Sequence, residues 1–201
     1  MSMNISVVLL SGIIVIGMVA PSAGREEGDD LVEATLAGGC FWCMEPPFDK
    51  VEGVKRTTVG YTGGETVDPT YEEVSSGTTG HIEAMKVVYD PSEVDYEELL
   101  SVFFRNIDPF DAGGQFCDRG SQYRSAIFVH NEEQEQMARA FKDDLEKRFK
   151  RSIATEIVPA GPFYPAEDYH QEYYEKNPIR YRFYRYGCGR DRRLEEIWGK
   201  K

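Results

Sequence analysis

The chain has 201 residues, 41% of them hydrophobic with 11 Phe and 12 Tyr, which is enough for one sizeable core and excludes a disordered or fibrous chain. Acidic residues outnumber basic ones 35 to 23, giving a formal net charge of -12. A surface that negative repels phosphate backbones, so no nucleic-acid partner is expected.

Ile5 to Ala20 is nearly all apolar, small residues follow over Pro21-Ser22-Ala23-Gly24, and residues 25–30 are strongly polar. The run fits a secretory signal or an N-terminal anchor over residues 1–23 better than a spanning helix of about 20 residues. No Lys or Arg precedes it, so only the amino terminus supplies positive charge there. An exported protein is expected, periplasmic or anchored facing the periplasm, with its cysteines in an oxidising compartment.

The folded domain is expected over residues 31–199. Leu31 to Ala37 reads as a strand ending in Gly38-Gly39, and Cys40-Phe41-Trp42-Cys43 then opens a helix whose Pro46-Pro47 pair is tolerable in the first turns. Val54 to Tyr61 is a second strand, and Thr62 to Gly80 a long loop without apolar period. Ile82 to Tyr89 is a third strand; Asp95 with Glu98 starts a helix carrying Leu99, Leu100, Phe103 and Phe104. A second glycine-bearing loop, Asp108 to Gly120, holds Cys117, and Arg124 to His130 is a strand. Asn131 with Gln134 caps a helix whose Met137, Phe141, Leu145 and Phe149 step by four. Thr155 to Val158 is read as the last strand, followed by a proline-bounded aromatic loop and a polar helix around His170. The pattern predicts an α+β fold, a two-layer sandwich with one mixed sheet in a single domain with long functional loops.

Cys40 stands where a strand meets a helix N-terminus, a place that favours a thiolate. With Cys43 it forms a C-x-x-C pair, whose readings are redox or metal. Zinc needs two close ligand pairs, and here Cys117, Cys188 and the three histidines are scattered. Phe41 and Trp42 beside the nucleophile suit either core packing or an apolar pocket for a methyl-bearing substrate. Alternation puts Glu83 on the face of Met85, Val87 and Tyr89; it either reaches solvent at the strand start or is a desolvated acid poised to donate a proton. Arg180, Arg182, Arg185, Arg190, Arg192 and Arg193 crowd Cys188, as a solvated basic tail or as support for its thiolate.

Gly39-Cys40-Phe41-Trp42, Gly60-Tyr61-Thr62-Gly63-Gly64, Pro69-Thr70-Tyr71, Gly80-His81-Ile82-Glu83 and Asp118-Arg119-Gly120-Ser121-Gln122-Tyr123-Arg124-Ser125-Ala126-Ile127 together resemble the peptide methionine sulfoxide reductase A family, in its order, over Leu36 to Asn177. The resemblance implies reduction of methionine S-sulfoxide, free or in proteins, by an enzyme recycled by a thioredoxin-like reductant, with no metal or organic cofactor; a monomer is expected. It makes Cys40 the nucleophile, Glu83 the acid that protonates the sulfoxide oxygen, and Tyr71 and Tyr123 the phenols that hydrogen-bond it. Phe41 and Trp42 would wall the S-methyl group, and Asp118 would orient the substrate backbone.

The sequence departs from the family in its leader and at Cys43, where many members have Gly and recycle through C-terminal cysteines. Cys188, between Gly187 and Gly189, is slightly favoured as the thiol that resolves Cys40 sulfenic acid; Cys43 is the other candidate and Cys117 a third. Two rival readings are a general C-x-x-C thiol-disulfide oxidoreductase, which needs no Glu83, and an exported non-enzymatic binding protein.

Overall fold

The computed structural model describes Met1 and residues 31–200; the apolar leader, read as a secretory signal or anchor, lies outside them. The first half runs β1 (Val32–Gly38), α1 (Phe41–Phe48), β2 (Val54–Thr62), α2 (Tyr71–Ser75), β3 (Ile82–Tyr89) and α3 (Tyr96–Arg105). After it come the two-residue β4 (Gly114–Gln115) and β5 (Asp118–Arg119), a 3-10 turn at Ser121–Tyr123, β6 (Ser125–Val129), α4 (Glu132–Phe149) and β7 (Glu156–Pro159). The chain ends with β8 (Phe163–Pro165), α5 (Tyr173–Lys176), α6 (Pro178–Gly187) and α7 (Arg190–Trp198).

Six strands form one sheet in the order β7-β6-β1-β3-β2-β8. β6 and β7 pair parallel and the other neighbours antiparallel, so the sheet is mixed as expected. Strand periodicity sorts β3: Met85, Val87 and Tyr89 join the main core, while Ile82 and Ala84 join Ala37, Ala126 and Phe128 on the other face. Helices cover the first face through Phe41, Met44 and Phe48 of α1 and Leu99, Leu100, Phe103 and Phe104 of α3. Phe104 stacks on Phe141 of α4 with ring centroids 5.4 Å apart. Asp95 and Asn131 accept the backbone N–H of Glu98 and Gln134, as their spacing predicts.

Three segments differ from expectation. The loop after β2 contains α2, because Thr70 and Glu73 form a reciprocal capping box. The proline-bounded aromatic loop supplies an edge strand, β8, on β2. The C-terminal stretch is three helices rather than one, with His170 in the turn before them. It is no solvated tail at Arg190, whose side chain is 1% exposed.

Candidate active site

β1 is the sheet strand between β6 and β3, and Cys40 follows its end as the N-cap of α1. The turn that delivers it depends on glycine: Gly39 has φ +80, and a Cβ there would lie 2.5 Å from Cβ of Gln115. Gln115 is held in turn by its side-chain amide, which pairs with the backbone N–H and C=O of Asp108 at 2.8 Å each.

Glu83 lies across the sheet on β3, 1% exposed, and its Oε2 accepts the Phe41 N–H at 3.1 Å. Its carboxyl therefore caps the start of α1 beside Cys40. Burial pushes it up to about 8, against the lowering effect of the Phe41 bond, so Glu83 is a proton carrier at neutral pH and not a strand-start residue in solvent.

Cys40 and Cys43 are both free and buried, with the Cys43 N–H donating to Cys40 O at 3.0 Å, and each thiol shifts the titration of the other. The helix N-terminus does not make Cys40 the favoured thiolate. Burial pushes its thiol up, with the Cys43 bond and the nearby Glu83 acting the same way, while the Tyr184 hydroxyl opposes them. Cys43 is lowered to about 6, chiefly by the bond from Cys40 and then, against burial, by the charges of Arg190 and Arg185. The two thiols therefore titrate as a pair, the first proton leaving far more easily than the second.

Tyr71 and Tyr123 are brought to the same place. Burial raises both phenols, Tyr71 to about 12, and both feel the charges of Glu83 and Cys40. The loops that carry them are tied together by Gln122, whose amide donates to Ser75 O at 2.9 Å. Glu167 fixes Tyr71 from a third segment, accepting its N–H at 2.9 Å and the Tyr61 hydroxyl at 2.8 Å.

Of the two aromatics next to Cys40, Phe41 is 1% exposed and packs in the core against His170 and Tyr61, at 5.1 and 6.0 Å between centroids. Trp42 is half-buried, stacks on Tyr173 at 3.8 Å and donates its indole N–H to His170 Nδ1 at 3.0 Å. Asp118 accepts the Tyr184 hydroxyl at 2.6 Å, and burial raises its carboxyl.

Cys188 is not a free thiol here. It forms a disulfide with Cys117 across 71 residues of sequence, with Asp118 beside both sulfurs. Just past its flanking Gly189, the chain is also tied down by Arg190, which donates to Gly38 O and Asn106 O. Sequence reasoning missed Tyr184, His170 and Glu167. Tyr184 donates to Asp118 and lowers the Cys40 thiol, yet nothing in the arginine-rich run distinguishes it from Tyr181 or Tyr186.

Residues 32–201 match the family model described as peptide methionine sulfoxide reductase. A peptide methionine sulfoxide reductase MsrA of Bacillus licheniformis is 54% identical over 170 residues, 84% of this chain and 94% of that protein. The crystal structure of Mxr1 from Saccharomyces cerevisiae in reduced form is similar with a TM-score of 0.71 at 35% identity, over 75% of this chain and 87% of that one. Mxr1 in complex with Trx2 matches with a TM-score of 0.53 at 26% identity, over 74% and 88% of the chains.

Proposed function

The chain belongs to the peptide methionine sulfoxide reductase family, and on that premise we propose how its own residues reduce methionine S-sulfoxide, free or in proteins. The observation that carries the reading is the buried Glu83 carboxyl, held protonated at the helix start that presents Cys40. A sulfoxide sulfur is a poor electrophile until its oxygen is protonated or hydrogen-bonded. Glu83 gives that oxygen its proton, Tyr71 and Tyr123 stabilise the charge developing on it, and the Cys40 sulfur attacks. The attacking form is the one in which the shared proton has moved to Cys43. Methionine leaves, and Cys40 keeps the oxygen as a sulfenic acid. Trp42 walls the methyl group, with Phe41 fixing its backbone from the core, and Asp118 orients the substrate main chain.

Cys43 then resolves the sulfenic acid. The two free, buried thiols lie within one turn, the Cys43 N–H donating to Cys40 O at 3.0 Å, which supports this choice over Cys188, whose sulfur is committed to Cys117. A thioredoxin-like dithiol reduces the enzyme for the next turnover, a reading supported by the yeast relative solved with Trx2. One chain carries every residue named, which supports a monomer, and the apolar leader supports export.

The deciding experiment assays both sulfoxide epimers with dithiothreitol, beside an insulin-reduction control. Turnover of the S epimer alone, abolished in Cys40→Ser, is expected. Insulin reduction that survives Glu83→Gln without sulfoxide turnover would instead identify a general dithiol oxidoreductase, and no turnover at all a binding protein.

A further inference from the structure

Arg190 is the largest fully buried side chain among the described residues, and no carboxylate pairs with it there. An arginine cannot shed its charge, so burial without a counter-ion is costly unless another anion stands near. Its Nη2 donates to Gly38 O at 3.0 Å and to Asn106 O at 2.8 Å, and lies 3.2 Å from Met44 Sδ. Those contacts bracket the C-x-x-C pair: Gly38 stands two residues before Cys40, and Met44 directly follows Cys43. Nε is buried without a hydrogen-bond partner, and Phe116 covers the guanidinium at 4.4 Å. The anions whose charge Arg190 feels are the Cys43 sulfur and Asp118, and Asp118 already accepts the Tyr184 hydroxyl.

We propose that Arg190 is a positioning residue for the resolving step, holding the negative charge on the Cys43 sulfur while it closes on Cys40. The step balances. Cys43 first passes its proton to the Glu83 carboxylate left by the first half-reaction. Its sulfur then attacks the Cys40 sulfur, the S–S bond forms as the S–O bond breaks, and hydroxide leaves with the Glu83 proton as water. The Cys43 sulfur is oxidised and the Cys40 sulfur reduced. Five further groups act on Cys43: Cys40 on α1's start, Glu83 on β3, Asp118 on β5, and Arg185 and Tyr181 on α6. Arg185 is already paired with Asp191 at 2.5 Å. Arg190 has no ion-pair partner among the described residues, and its other counter-charge, Asp118, already accepts the Tyr184 hydroxyl.

The inference rests on Cys43 as the resolving thiol and is tested by single turnover with one equivalent of methionine S-sulfoxide. Methionine release and loss of the sulfenic acid, trapped as its dimedone adduct, are timed separately between pH 6 and 8. Arg190→Gln keeps amide donors but removes the charge. It should leave methionine release no slower, slow disulfide closure about tenfold at pH 7, and make closure climb with pH. Arg190→Lys should restore the flat profile of the wild type. An Arg190→Gln profile that matches wild type, with only a lowered melting temperature, would reduce Arg190 to a structural tie. So would a wild-type closure rate rising tenfold per pH unit across the window, a result that needs no variant. If Cys43→Ser still loses its sulfenic acid to a disulfide, both the resolving-thiol assignment and the Arg190 role fall, while S-epimer reduction stands.

Discussion

Glu83→Gln should cost the enzyme its chemistry and make its fold more stable in alkali. The wild-type carboxyl titrates near its ordinary 4.5 in the unfolded chain and about 8 in the fold, with burial the main cause. Between those values the folded state binds a proton that the unfolded state has released, so stability falls as pH rises from 4.5 to 8 and then levels off. At 1.4 kcal/mol per tenfold, that displacement is worth up to about 5 kcal/mol by pH 8. Glutamine keeps the carbonyl that accepts the Phe41 N–H and never ionises, so the variant escapes the penalty. Chemical unfolding of both proteins at pH 5, 7 and 9 should give near-equal stabilities at pH 5 and a variant more stable by several kcal/mol at pH 9. Its methionine release should be slower by about a hundredfold or more, the scale of a lost general acid. Parallel stability curves from pH 5 to 9 would mean that Glu83 is ionised in the fold, and the proton-donor role would go with them.

Cys117→Ser should destabilise the oxidised protein by about 4 kcal/mol, because the disulfide closes a loop of 71 residues; equal melting temperatures for variant and wild type without reductant would contradict this. Tyr184→Phe removes the hydroxyl that donates to Asp118 and lowers the Cys40 thiol, so Cys40 should ionise at still higher pH and methionine release should slow about tenfold at pH 7, measured by single turnover. The mature protein should begin between Ala20 and Arg25, which N-terminal sequencing reads directly; an intact Met1 on membrane-bound protein would indicate an anchor.

Local patterns carried the frame. The period-two face of β3 located Glu83, and Asp95 and Asn131 marked two helix starts, because each signal lies within a few residues of its effect. The contacts that complete the site do not. Trp42 meets His170 across 128 residues, and Tyr71 meets Glu167 across 96. Four cysteines allow three complete pairings, and no spacing rule selects Cys117 with Cys188 while leaving Cys40 and Cys43 reduced. What opposes a thiolate at Cys40 is hidden for a related reason. Proximity to a helix start is visible in sequence, but burial and the facing Glu83 come from other segments. β8 escaped notice because three residues ending in proline have no period to read.

The chain's two tryptophans both sit on seams between the C-terminal helices and the rest of the molecule. Trp42 lies flat against Tyr173 of α5, and Trp198 of α7 meets Phe149 edge-on at 5.2 Å while its indole N–H donates to Ile107 O. Light absorbed by the protein is therefore re-emitted from the two places where those helices dock. Undocking α5 would unstack one indole and undocking α7 would wet the other, each shifting emission to the red. The protein carries its own optical gauge of the contacts that hold Tyr184 and Arg190 over the cysteine pair, readable during turnover without any added label.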